Sequence, residues 1–153
     1  MHKTAPQPSI ELHEQPGHLI RRAHQIAVSL FHDTLGREVT PVQYAVLRAL
    51  QDKPGIDQAT LAQEIALDTS STADVAIRLE AKGLIVREQL PRGQRCLALT
   101  ADGQDLLARL EPGMNAMCRT MLADMDSKEQ VEFIRLLRKF AHVNDDGRAA
   151  PRR

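Results

Sequence analysis

From Asp68 to Thr100 the chain changes its repeat twice, and few architectures accommodate the order in which it does so. Asp68 suits a helix N-cap, and Thr69, Ser70, Ser71 and Thr72 follow it. Val75 and Leu79 then fall at helical spacing until Lys82-Gly83 closes the segment. "LIVREQ" and "CLALT" come next as two β-type runs, joined by "LPRGQR", whose Pro and Gly mark a turn, so a hairpin is expected. Hydroxyl residues are weak helix formers, and their presence in the first turns suggests a face kept for hydrogen bonding with something outside the helix.

The segments upstream are helical. His18 to Leu35 places Ile20, Ala23, Ala27, Leu30 and Phe31 on one face, and Gly36 stops it. Thr40 is an N-cap with Pro41 at the first helical position; Val42, Ala45, Val46, Ala49 and Leu50 follow on one face, with "KPG" as terminator. A short helix starts at Asp57, with Leu61 and Ile65 four apart. Downstream, Thr100 caps a helix carrying Leu107, Leu110, Met114, Met117 and Met121, with a kink expected at Pro112-Gly113. A last helix begins after Asp126 or Ser127 and carries Phe133, Ile134, Leu137, Phe140 and Ala141.

Composition narrows the class. The 153 residues are 42% hydrophobic but only 3% aromatic, with no Trp, which favours helices packed on helices in one domain over a sheet-rich fold. Lys plus Arg equals Asp plus Glu at 20 each, so any basic surface must be local. Cys96 and Cys118 lack metal-binding or CxxC spacing and suit a reducing cytoplasm. With no basic start leading into an apolar run, and no stretch near the ~18 apolar residues of a membrane span, neither a signal peptide nor a membrane partner is expected.

Three short helices followed by a two-stranded ribbon is the order of a winged helix-turn-helix, in which the third helix enters the major groove and the ribbon tip follows the minor groove. The fold expected is mainly α with a small β-hairpin. Thr69, Ser70, Ser71, Thr72 and Asp74 are candidates for base edges, Arg78 for a base or phosphate, and Arg87, Arg92, Gln94 and Arg95 for the ribbon's contacts with duplex DNA. Plainer readings stand beside these: Ser71 and Thr72 as caps, Arg78 paired with Asp74, the wing arginines as a solvated turn.

"TPVQYAVLRAL", "LAQEIALDTSSTADVAIRLEAKGLIVRE" and "LALTADGQDLL" together resemble the MarR family of bacterial transcriptional regulators, over roughly residues 15–143. The resemblance implies an obligate homodimer with intertwined terminal helices, a pseudo-palindromic operator, and a repressor released by a small ligand. It divides the chain into a flexible arm (1–15), a domain (16–143) with its winged helix at about 40–100 and dimerisation helices at about 16–36 and 100–143, and a flexible tail, "NDDGRAAPRR". One departure is plain. Where the family commonly has Asp-Arg-Arg at the wing tip, this chain has Pro91, Arg92 and Gly93, so the acid-to-arginine clasp is missing.

A dimer is expected on physical grounds too, since the two apolar stripes beyond the winged helix would leave a large exposed patch on a monomer. For an effector, the first two helices offer His18, Arg21, Arg22, His24, Phe31, Tyr44 and Arg48. A guanidinium beside aromatic walls suits a small aromatic carboxylate. "PGHLIRRAHQIAVSLF" is similar to the NicR-like group that controls aromatic and pyridine carboxylate breakdown, which implies an effector of the nicotinate or hydroxynicotinate type. No other cofactor is expected. His18, His24 and His32 are not spaced for a metal, and no phosphate loop or nucleophile elbow suggests an enzyme. The competing readings are a winged helix used only for protein contacts and a redox-sensing MarR-type regulator.

Overall fold

The computed structural model describes residues 7–143; the first part of the expected arm and the whole expected tail lie outside the described residues. Within the arm, Leu12–Glu14 form one 3-10 turn that leads into the first helix. Helix α1 (Pro16–Leu35) begins with Pro at its first position and ends at Gly36, whose N–H still donates to the His32 carbonyl at 3.0 Å and whose positive φ of 78° then turns the chain out of the helix. Helix α2 (Pro41–Asp52) starts from a reciprocal capping box: Gln43 N–H donates to Thr40 Oγ1, and Thr40 N–H to Gln43 Oε1, both at 3.1 Å.

Strand β1 (Ile56–Asp57), helix α3 (Gln58–Glu64) and helix α4 (Thr69–Ala81) follow, then strands β2 (Ile85–Gln89) and β3 (Arg95–Leu99). The expected hairpin of β2 and β3 is present, and β1 adds a third strand that the sequence did not signal. β1 pairs antiparallel with β3, Ile56 opposite Leu97, which gives a three-stranded sheet in the order β1-β3-β2. Two residues are too few to display an alternating pattern, so β1 had no signature to detect.

α2, α3, α4 and the sheet close around Val46, Leu47, Leu50, Leu61, Leu79, Ile85 and Leu97, with Leu106 joining from the next helix. Each such side chain contributes roughly 1.5–3 kcal/mol by leaving water. Val42, expected on the buried face of α2, is 41% exposed; Leu47 and the capping residue Gln43 are buried instead. Helix α5 (Ala101–Met121) is capped by Thr100, whose hydroxyl accepts from Gly103 N–H at 3.1 Å and donates to the Gly83 carbonyl at 2.6 Å, pinning α5 to the end of α4. Helix α5 runs unbroken through Pro112.

α1 lies along α5, and at Gly113 the two come so close that an added Cβ would meet Leu35 Cδ2 at 2.7 Å. The α5 stripe is consequently filled from within the protomer. Leu107, Leu110 and Met117 are buried, and Met114 and Met121 are half-buried against the same core. The expectation that this stripe needs a second chain is corrected.

Helix α6 (Ser127–Phe140) differs. Its start is secured by a second capping box, between Asp126 and Glu129, yet among the described residues it buries none of its side chains and has no extensive contact with another element. Val131, Phe133, Ile134, Leu136, Leu137 and Phe140 all stand exposed, as do Leu19, Ile20 and Ile26 on α1. Among the described residues, no helix is long and apolar enough to cross a membrane.

Candidate nucleic-acid interface and effector region

Helix α4 has one face committed to the core and one turned outward. Asp68 caps it: Oδ1 accepts from Ser71 N–H and Oδ2 from the Ser71 hydroxyl, both at 2.7 Å, and these bonds hold the Asp68 carboxyl below the usual carboxylate range. The Ser71 side chain is thus engaged by the cap and half-buried. Thr72, placed among the base contacts by the sequence, is 0% exposed, and its hydroxyl donates to the Asp68 carbonyl at 2.8 Å. It lies in the core beside Ala76 and Leu79 and has no access to a duplex.

Thr69, Ser70, Asp74 and Arg78 do face outward and are exposed. Asp74 and Arg78 form no ion pair with each other among the described residues, so both side chains are open to a partner. Ile77, which the sequence reading passed over, shares this face at 49% exposure. Its offset from Ala76 and Leu79 on the helical repeat was the available signal.

The wing is held by its backbone. Gly93 N–H donates to the Leu90 carbonyl at 2.9 Å and Leu90 N–H to the Gln94 carbonyl at 2.7 Å, with Gly93 at φ 81°. This is a three-residue hairpin loop, a turn with Pro91 at its favoured position followed by a left-handed glycine. The missing acid-to-arginine clasp is replaced by main-chain geometry. Arg92, Gln94 and Arg95 are all exposed around this tip.

Arg87 has another task. Its side chain is only 16% exposed; Nη2 donates to Glu80 Oε1 at 3.2 Å while the Arg87 backbone N–H donates to Glu80 Oε2 at 3.1 Å. Its Nε and Nη1 are shielded from solvent without a hydrogen-bond partner among the described residues. Arg87, a candidate for the ribbon's contacts with DNA, thus has its side chain turned to Glu80, tying α4 to β2. The guanidinium holds the Glu80 carboxyl below the usual range in return.

The seven effector candidates separate into three places. Phe31, 3% exposed, meets Tyr44 edge-on, with ring centroids 6.0 Å apart, so α1 and α2 share an aromatic contact. Burial pushes the Tyr44 hydroxyl's pKa up, with Arg48 opposing. Arg48 lies exposed on α2, bonded to Asp52 at 2.8 Å and to Gln51, and so is occupied within its own helix.

His18, Arg21, Arg22 and His24 lie along the first half of α1. His18 Nε2 is shielded with no hydrogen-bond partner among the described residues, its ring 5.4 Å from that of His13. Loss of hydration, with Arg21, His13 and Arg22 nearby, keeps the His18 imidazole below its ordinary pKa and hence largely neutral at pH 7. His24 borders an open cleft of about 470 Å³ that also includes His32, Asp33 and Arg37 but none of the other six candidates. Among the described residues, Cys96 and Cys118 are free thiols, and no group of three His, Cys, Asp or Glu side chains is placed to hold a metal.

The profile of the MarR family matches residues 39–97, the span from Val39 before α2 to the middle of β3. The transcriptional regulator HosA of Escherichia coli O111:H- is 34% identical over 108 residues, covering 69% of this chain and 80% of that protein. Among solved structures, the PcaV transcriptional regulator of Streptomyces coelicolor in complex with its natural ligand is 36% identical with a TM-score of 0.83, covering 88% of this chain and 97% of that one. BpsR of Bordetella bronchiseptica, whose DNA binding is regulated by 6-hydroxynicotinic acid, is 29% identical with a TM-score of 0.80, covering 87% and 98%. Helix order, sheet, capped α4 and three-residue wing thus coincide with a likeness that runs the length of the domain, and the chain belongs to the MarR family of transcriptional regulators.

Proposed function

We propose that this regulator represses its target as a homodimer on a pseudo-palindromic operator and is released by a small aromatic carboxylate of the nicotinate or hydroxynicotinate type. The observation that carries the DNA half of this reading is the outer face of α4. Thr69, Ser70, Asp74 and Arg78 are exposed there beside a wing tip carrying Arg92, Gln94 and Arg95. A helix of that kind offers acceptors and donors to base edges while the wing's long cations take phosphates or a narrow minor groove. The neutral whole-chain charge is no obstacle, because Arg78 on α4 and Arg92 and Arg95 at the wing are exposed and make a local basic surface.

The bare apolar side of α6 and the exposed Leu19, Ile20 and Ile26 of α1 support pairing with a second copy. Twofold pairing sets two α4 helices about one DNA turn apart, roughly 34 Å, which makes an inverted repeat the natural site. Support for the effector comes from the cations Arg21 and Arg22 on α1 and from the 6-hydroxynicotinic acid response of BpsR. In this reading a carboxylate pairs with a guanidinium of α1 while the ring packs on apolar and aromatic walls.

Mobility-shift titration with DNA from the gene's own upstream region tests the first half. Saturable binding that weakens steeply with salt is expected; binding no tighter than to unrelated duplex refutes sequence specificity. Calorimetry with nicotinate, 6-hydroxynicotinate, benzoate and salicylate tests the second half. Heat from at least one of them, with loss of the shifted band, is expected, and silence from all four removes the aromatic acid.

A further inference from the structure

We infer that Ile77 is a specificity-determining residue that packs against the C5-methyl group of a thymine in each half-site. The inference rests on the DNA-binding reading above. Ile77 is 49% exposed on the outward face of α4, three residues after Asp74 and next to Arg78. It does not belong to the hydrophobic core or to the partly buried side chains packed against that core. α4 packs on α2, α3 and β2, so Ile77 sits in the winged-helix lobe, on an element without extensive contact with α1 or α6, where most of the other bare apolar side chains lie; within the lobe only Val42, Val86 and Leu90 among the described large apolar residues are comparably exposed, and none of them is on α4.

An exposed branched side chain gains nothing from water, and as a β-branched residue it is a poorer helix former than Ala at such a position. In the major groove the one apolar group on a base edge is the thymine methyl. Phosphates offer such a side chain no attraction. Asp74 supports the same orientation, since a carboxylate turned toward phosphates is repelled, whereas one turned toward base edges accepts from an amino group of cytosine or adenine. Three residues of helix advance about 4.5 Å, close to one or two base-pair steps, so Asp74 and Ile77 address neighbouring pairs.

The test uses a duplex enriched from a random library by the wild-type protein, with each thymine of one half-site replaced in turn by deoxyuridine, which removes the methyl and nothing else. Burying one methyl corresponds to a change of about fourfold in affinity. One position is expected to weaken wild-type binding about three- to fivefold and to have no effect on Ile77→Ala, with Ile77→Val intermediate; matching thermal melts of the variants exclude a folding effect. The inference is overturned if Ile77→Ala binds and discriminates as the wild type does, or if wild type and Ile77→Ala lose equally at every thymine. A wild-type protein that enriches no duplex overturns the DNA-binding reading and this assignment together, whereas enrichment with an indifferent Ile77→Ala overturns the assignment alone.

Discussion

Thr72 and Thr100 show how little a residue type says until its neighbours are known. Both hydroxyls donate to a backbone carbonyl, Asp68 for one and Gly83 for the other, and neither faces solvent freely. The run of hydroxyls after Asp68 was legible as the start of a helix. Which of them point outward was not, because threonine is equally at home in a core when its hydroxyl can reach back to the preceding turn. Thr72→Val keeps the shape and removes that one bond, while the Asp68 carbonyl still accepts from the Thr72 N–H at 2.9 Å. Urea unfolding is expected to show a loss of about 1 kcal/mol or less, with base discrimination on the operator unchanged. Gly103 has no such latitude: a Cβ there would lie 2.2 Å from the Leu84 carbonyl oxygen, which is backbone and cannot step aside. Gly103→Ala should therefore cost on the order of 3 kcal/mol, read from the urea midpoint, or leave the protein in inclusion bodies.

At the scale of elements, the wing illustrates a local signal that worked beside a tertiary one that was invisible. Pro91 and Gly93 announce a turn in any sequence, and the three-residue loop follows from them. The Glu80–Arg87 tie could not be read, because it joins a helix to a strand through a reversal of the chain, and neither the helical nor the strand repeat relates such positions. The tie carries a sign. Glu80 titrates below the ordinary glutamate value of 4.5 because Arg87 favours its charged form. Its contribution is therefore complete above that value and lost as pH falls through the lower folded pKa, so it is constant around neutrality. Glu80→Gln should flatten that part of the acid limb of a pH–stability curve and loosen the hairpin, seen as faster amide exchange in β2 and β3. Arg92→Ala acts at the other end of the same element. It should weaken operator binding nearly uniformly across sequences and reduce the slope of log affinity against log salt by about one, if Arg92 meets a phosphate.

For the whole molecule, the sequence indicated which faces are apolar but not which chain covers them. The α5 stripe and the α6 stripe look alike on the helical repeat, yet the first is filled by the protomer's own α1 and core while the second is bare. Periodicity reports that a face is buried, whereas ownership of the partner depends on where the connections return the chain. Phe140, at 62% exposure, and Leu137 lie on a helix that is well capped but, among the described residues, has no extensive packing partner. Isolated helices of that length are marginal in water, so a partner is what would keep α6 formed. Charges there should separate two properties. Leu137→Asp with Phe140→Asp is expected to give a monomer by sedimentation while the winged-helix lobe, whose core runs through Leu47, Leu61, Leu79 and Leu97, stays folded by circular dichroism. A monomer contacts one half-site at a time and forgoes the high effective concentration of a tethered second α4. Its affinity for the full inverted repeat should fall roughly a hundredfold or more, while its affinity for a single half-site duplex matches that of one wild-type subunit. A double variant that remains dimeric would place the pairing surface elsewhere, with the bare faces of Leu19, Ile20 and Ile26 on α1 the next to alter.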